Sequence, residues 1–401
     1  MKITLIPLIG LILVAAQAGG QEYPRWAQLS SKKGDLPSPG KSKQQTGCQV
    51  LDIDKDGLND IVITSRTAAS RIVWYQRGNA GWRIYPIDRD LEIEAGGAFA
   101  DIDGDGDLDL VFGQDHSGPK MYWWENPCPV YAAGKPWVRR EIKSAGGTMH
   151  HDQITGEFGN KGELQLAFWV QKSDTLFLAK FPRDPKNTEP WGCSPIATIG
   201  PAEGLAKADV DCDGTPDLIG GGYWFKFLER SSRYQPMLID KGLLSTRVQA
   251  GQIVEGGPPE VVFVAGDSIG SLKWFEWRRG EWVGHELLIE NVVHGHSLEL
   301  ADIDQDGHLD IFCGEMAQWT EYALRPDNPS ARTWIFYGDG QGRFTKTLLA
   351  TGLDNHESRV ADLDGDGDLD IVVKPYTRDT PRLDVWLNQG IGHKKNISIH
   401  E

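Results

Sequence analysis

Five segments of this chain place Asp at alternate positions around a Gly, as in Asp52-Ile-Asp54-Lys-Asp56-Gly57-Leu-Asn-Asp60, with further copies beginning at Asp101, Asp209, Asp302 and Asp362. Together they hold 22 Asp, and each is followed by a short β-branched or apolar run. Two gaps in the series contain decayed copies. Glu157 to Gln165, with Gly162, precedes Leu166 to Trp169, and Gln252 to Glu260, with Gly257, precedes Val261 to Val264. The seven starts, at 52, 101, 157, 209, 252, 302 and 362, lie about 52 residues apart on average. A repeat of that length built from several short strands is the size of a propeller blade. The period overrides the two or three domains that 401 residues would otherwise suggest.

Within each unit the pattern predicts strand a before the Asp loop, strand b after it, an aromatic strand c and an outer strand d. Strand c recurs at Val73 to Tyr75, Tyr122 to Trp124, Leu176 to Leu178, Phe225 to Phe227, Leu272 to Trp274, Trp334 to Phe336 and Val385 to Leu387. Aromatics that return at one structural position belong to the core between blades. Strand d opens with Trp82, Trp137, Tyr234, Trp282 and Phe344, and more weakly near Pro195 and Ile196. The last unit runs out after strand c, whereas Trp26 to Leu29 stands unclaimed before the first strand a. The expected fold is therefore all-β, a seven-bladed β-propeller in which the N-terminal strand closes the last blade and removes two exposed sheet edges.

Lys2, the apolar run Ile3 to Ala16 and the small-x-small pattern at Ala16 to Ala18 have the form of a secretory signal peptide over residues 1–18. Residues 19–401 are then one propeller domain, secreted or periplasmic, with no membrane insertion expected and a monomer as the expected state. Five cysteines are an odd number for an oxidising compartment, with Cys128 and Cys193, each in a loop before an outer strand, the preferred pair. The formal charge of −16 is concentrated in the Asp loops, where five divalent ions would supply +10. It predicts no nucleic-acid binding.

Oxygen ligands at alternate positions of a short Gly-containing loop suit a hard cation of variable coordination, which favours calcium. The EF-hand requires a Glu at position 12, where this chain has Ile63, Phe112, Gly220, Cys313 and Val373. The expected ligands are Asp52, Asp54, Asp56 and Asp60; Asp101, Asp103, Asp105 and Asp109; Asp209, Asp211, Asp213 and Asp217; Asp302, Asp304, Asp306 and Asp310; and Asp362, Asp364, Asp366 and Asp370, for up to five structural ions. These loops resemble the FG-GAP or VCBS repeats of integrin α-chain propellers and many secreted bacterial proteins. The resemblance implies calcium at the turn from strand a to strand b.

Propeller topology sends the d-to-a and b-to-c connections to the opposite face. Six residues before each loop stand Thr46, Ala95, His151, Glu203, Thr246, His296 and His356, a predicted ring around the mouth of the tunnel. Nearby positions add Arg247 and Arg359, and the b-to-c connections add Arg66, Tyr223, Lys374 and Tyr376. One histidine at a strand start is usually a hydrogen-bonded structural residue, but His151, His296 and His356 occupy equivalent places in three blades. Two chemistries could use them. Proton abstraction beside a uronate carboxylate needs a His or Tyr base and Arg or Lys to hold the carboxylate, and three histidines with a carboxylate can bind zinc. The first is favoured, with His151, His296, His356 and Tyr223 as acid–base candidates and Arg359, Arg247 and Lys374 as counter-charges. No Ser nucleophile motif, phosphate-cradling loop or dinucleotide fingerprint is present. The chain as a whole also resembles secreted carbohydrate-active propellers, in particular rhamnose-α-1,4-glucuronate lyases and, more distantly, the propeller of aldos-2-ulose dehydratase. That resemblance implies a polysaccharide lyase with an acidic oligo- or polysaccharide as partner. The alternative is a non-enzymatic glycan-binding or adhesion propeller.

Overall fold

The structure is a computed structural model that describes residues 22–391 apart from 68–70, 79–80, 133, 160–161 and 321; the leader predicted over residues 1–18 lies outside them. Seven four-stranded antiparallel sheets form a ring. Blade 1 is typical, running outward through Gln45–Leu51, Asp60–Ser65, Ile72–Gly78 and Gly81–Asp88. Strand a is innermost, since it is the a strands that touch from blade to blade. Blade 7 takes Arg359–Ala361, Asp370–Val373 and Asp384–Asn388 from the end of the chain and its outer strand, Trp26–Ser30, from the beginning. These last two pair antiparallel from Trp26 opposite Asn388 to Ser30 opposite Asp384.

A sheet with two apolar faces must bury both, and here each junction between neighbouring blades holds its own core. Trp74 and Trp124 lie between blades 1 and 2, Trp123 and Phe168 between 2 and 3, Trp169 and Phe225 between 3 and 4. Trp224 and Phe275 follow between blades 4 and 5, Trp274 and Trp334 between 5 and 6, and Trp26, Tyr337 and Trp386 between 6 and 7. Tyr75 and Val385 close the circle between blades 7 and 1. The strand-c aromatics predicted as interblade core are found there. Among the described residues no helix is long and apolar enough to cross a membrane. All five cysteines are free, so the expected Cys128–Cys193 pairing is not formed; the Cys193 sulfur instead lies 3.8 Å from the carbonyls of Ile142 and Trp191.

The Asp loops occupy the a-to-b turns. Their sixth residue has a left-handed backbone, φ 89° at Gly57 and 88° at Gly106, and donates its amide to the first Asp of the loop. Only Gly adopts that conformation without steric cost. The ninth residue does a second job. Asp310 accepts the amide of Ile303 at 2.8 Å with one oxygen and that of Gly338, at the end of strand c, at 2.9 Å with the other. Asp60, Asp109 and Asp370 bracket the turn and the strand-c end in the same way. The two decayed loops keep part of this bracket: Gln165 accepts the amide of Phe158 at 3.2 Å, and Glu260 those of Ile253 and Val254 at 2.8 and 3.0 Å. Position 9 thus satisfies buried backbone donors in blades that have lost the metal pattern.

Candidate functional site

At the end of the tunnel opposite the Asp loops lies a cavity of about 410 Å³. Thr46, Ala95, His151, Glu203, His296 and His356 all line it, so six positions of the predicted ring meet in one place. Thr246 is not among the lining residues; its hydroxyl donates to the Leu243 carbonyl at 2.7 Å. Arg66, Glu94, His116 and Tyr376 complete one side, Asp267 and Gln171 another, and Trp319 and Tyr322 reach in from the long b-to-c connection of blade 6.

The strand starts hold their histidines by irregular backbone. Asp152 has φ 43° and Glu357 φ 56°, and a register shift between His151 and Gln153 turns the His151 ring inward. His296 and His356 stack at 4.9 Å, and Tyr376 stacks on the far face of His356 at 4.8 Å. Trp319 lies against His296 and His294.

Arg247, Arg359 and Lys374 do not line the cavity; they lie beneath it. Arg247 donates to both oxygens of Asp152, at 3.0 and 2.5 Å, and pairs with Glu357 at 2.7 Å. Arg359 pairs with Glu357 and, at 3.1 Å, with Glu299. Burial opposes the charge on both guanidiniums, but these carboxylates outweigh it and hold them firmly protonated. Tyr223 is elsewhere too, stacked on Phe225 in the core between blades 3 and 4.

Lys374 has a different role. Its Nζ lies 2.8 and 3.0 Å from the carbonyls of Gln45 and Thr46 and 3.3 Å from Nδ1 of His356. Burial pulls this lysine down to about 7. As an amine it gives two N–H groups to the carbonyls and takes Nδ1–H with its lone pair, which leaves Nε2 of His356 bare toward the cavity. As an ammonium it donates to Nδ1, and the ring proton moves to Nε2.

The cations that do face the cavity are Arg66 and His151. Arg66 is gripped by Glu94 at 2.5 Å and Asp115 at 2.6 Å and donates to the Tyr376 hydroxyl at 2.5 Å. Burial opposes charge on His151, yet Glu203 and Asp152 raise it to about 10; its Nδ1 lies 2.6 Å from Asp152. Burial likewise pushes Glu203 up to about 7, against the pull of His151 and with the neighbouring Asp267 carboxylate adding to the rise.

At the other end of the tunnel, Asp loops bring carboxylate oxygens together as a calcium site requires. The carboxylate oxygens of Asp52, Asp54 and Asp56 converge within 4.8 Å, as do those of Asp101, Asp103 and Asp105 and of Asp302, Asp304 and Asp306. In blade 4 the converging set is Asp209, Asp211 and Asp217. In blade 6 Asp302 and Asp304 each bury an oxygen with no hydrogen-bond partner, as Asp364 does in blade 7, and a bound cation would satisfy them. In blade 4 the Lys226 ammonium already meets Asp211, and in blade 2 Lys186 lies 2.7 Å from Asp103.

Residues 52–112 and 318–373 match the family model described as FG-GAP-like repeat, so the chain carries FG-GAP-like repeats within its seven blades. The comparison with curated proteins gives no match. Among solved structures, the crystal structure of AofleA from Arthrobotrys oligospora is similar at 11% identity over 81% of this chain and 90% of that one, with a TM-score of 0.41.

Proposed function

We propose that this is a secreted, calcium-stabilised propeller that acts as a polysaccharide lyase, cleaving a uronate-containing glycan by β-elimination. The observation that carries this reading is the convergence of His151, His296 and His356 on one cavity with Arg66 and Tyr376. Nε2 of His356, backed by Lys374, takes the proton next to the uronate carboxylate, and Arg66 holds that carboxylate as the enolate-like charge develops. The Tyr376 hydroxyl, held by Arg66, protonates the leaving oxygen as the C–O bond breaks and the ring gains its double bond. Trp319 and Tyr322, 37% and 84% exposed, offer flat apolar faces at the rim for sugar rings. Incubation with a panel of acidic polysaccharides should give a product with the ultraviolet absorbance of an unsaturated uronate. Tight glycan binding without that product would establish the binding-module alternative instead.

The calcium part of the proposal separates ligand from bracket. Asp302→Asn should remove part of the rise in melting temperature that millimolar calcium produces over excess chelator, because an ion bound only by the folded state stabilises it by mass action. Asp310→Ala should cost about 2–5 kcal/mol in either condition, since buried amides lose their acceptor. Melting curves of both variants with and without calcium check this. A wild type indifferent to calcium would remove the metal, and an Asp310→Ala protein as stable as wild type in chelator would remove the bracket.

A further inference from the structure

The wall of the cavity between blades 4 and 6 holds a side-chain cluster to which no elimination step is assigned, although its His296 belongs to the same ring as His356. Glu203 stands just before strand a of blade 4, Asp267 in the b-to-c connection of blade 5, and His296 just before strand a of blade 6. Each offers one ligand atom, and these atoms lie within 4.8 Å of one another. Glu203 is 3% exposed and His296 2%, yet Glu203 Oε2 has no hydrogen-bond partner. A Cβ placed on Gly266 would stand 3.6 Å from both Glu203 Oε2 and His296 Nε2, so the two atoms converge on one spot backed by a residue without a side chain.

A buried carboxylate oxygen facing a second carboxylate needs a cation between them, a proton or a metal. The surroundings orient the ligands as a metal would require. Gln171 donates to Glu203 Oε1 at 3.0 Å and so turns the other oxygen, Oε2, toward Asp267 and His296. His296 Nε2 and Asp267 Oδ1 are hydrogen-bonded at 2.7 Å, a contact that an ion ligated by both would replace.

We infer that Glu203, Asp267 and His296 form a binding site for a divalent transition cation of the zinc class, with its remaining coordination position open to the cavity. One imidazole with two carboxylates suits zinc or manganese better than calcium, which takes oxygen ligands alone. Three protein ligands and an open fourth position is the arrangement of catalytic zinc, not of closed structural sites. The ion would place a second fixed positive charge across the cavity from Arg66, where a uronate carboxylate or hydroxyl could complete its shell. The site stands on its own geometry, whether or not the cavity belongs to a lyase.

The test contains no glycan, so its outcome is separate from that of the lyase assay. Full-length mature protein is stripped with chelator, then equilibrated with micromolar Zn²⁺ or Co²⁺ in millimolar calcium, which competes for the all-oxygen Asp loops. Wild type should retain about one equivalent of zinc by elemental analysis, and cobalt should give visible bands of a nitrogen-containing site. His296→Ala and Asp267→Asn should lose that equivalent, with affinity falling by more than the roughly 10- to 100-fold typical of an outer-shell residue. Should His296→Ala fail to fold, Asp267→Asn, at a partly exposed position, still reads the site. Equal metal content and identical cobalt spectra in wild type and Asp267→Asn would overturn the inference and leave a shared proton between the carboxylates.

Discussion

Deleting residues 23–30 should abolish cooperative unfolding and drive the protein to aggregate. Those residues contribute the outer strand of blade 7, five paired positions against Asp384–Asn388, and their loss leaves that strand as an unpaired edge. They also contribute core. Trp26 is 8% exposed and packs with Tyr337 and Trp386, and Tyr23 stacks on Tyr337 at 4.2 Å. Truncating a buried Trp alone typically costs about 3–5 kcal/mol, and the whole stability of a domain is about 5–15 kcal/mol. Trp26→Ala should therefore lower the melting temperature with the sheet intact, while the deletion removes the closure itself. Calorimetry of the two variants separates these effects. A deletion variant that melts in one sharp transition at the wild-type temperature would show that the ring does not depend on this strand.

His356→Ala should lower turnover of an identified glycan by about 10²- to 10⁴-fold, the usual contribution of a positioned base, with the melting temperature and calcium response kept. Tyr376→Phe removes a single hydroxyl and should fall in the same range if it protonates the leaving oxygen. Turnover should rise with pH through about 7, where Lys374 becomes an amine and Nε2 of His356 loses its proton. The groups that set that value, after burial itself, are Cys48, Glu357, Arg359 and Asp354, with His356 and the Gln45 and Thr46 carbonyls in direct contact. Lys374→Met should abolish this rise, which a merely structural lysine would not do. Arg247→Ala has a different signature: it leaves Asp152 with His151 and Glu357 with Arg359 as their remaining cations, and should lower the melting temperature while the pH dependence of turnover is kept. Normal turnover in both His356→Ala and Tyr376→Phe would remove the assigned chemistry.

The blades and the ring of residues at the tunnel mouth were legible in the sequence because both are periodic. A position counted back from Asp302 or Asp362 lands at the same height of every strand a, so His296 and His356 could be placed together without coordinates. The partners of the buried arginines were not legible. Arg247 meets Asp152 across 95 residues, a pairing set by the angle between blades 3 and 5, which leaves no mark in local spacing. Asp267 was missed because the blade 5 loop had decayed and its connection carried no pattern. Trp319 and Tyr322 carried no repeat pattern, and the length of the connection between Gly314 and Arg332 was the available signal. Position 9 of the Asp loops reads in sequence as a ligand alone, because a carboxylate shows there and the amides it holds do not; Asp217 both accepts an amide and joins the converging set of blade 4.

That bracket bears on the order in which such a repeat can decay over evolutionary time. Blades 3 and 5 have lost most of their alternating carboxylates while keeping Gln165 and Glu260, side chains that still accept the turn's amides. The first, third and fifth positions are thus free to drift once an ion is no longer needed, whereas the ninth must pass only through residues that can accept a backbone hydrogen. A blade without the alternating carboxylates therefore still needs an acceptor at its ninth position, and that residue is the mark by which a silent repeat can still be counted.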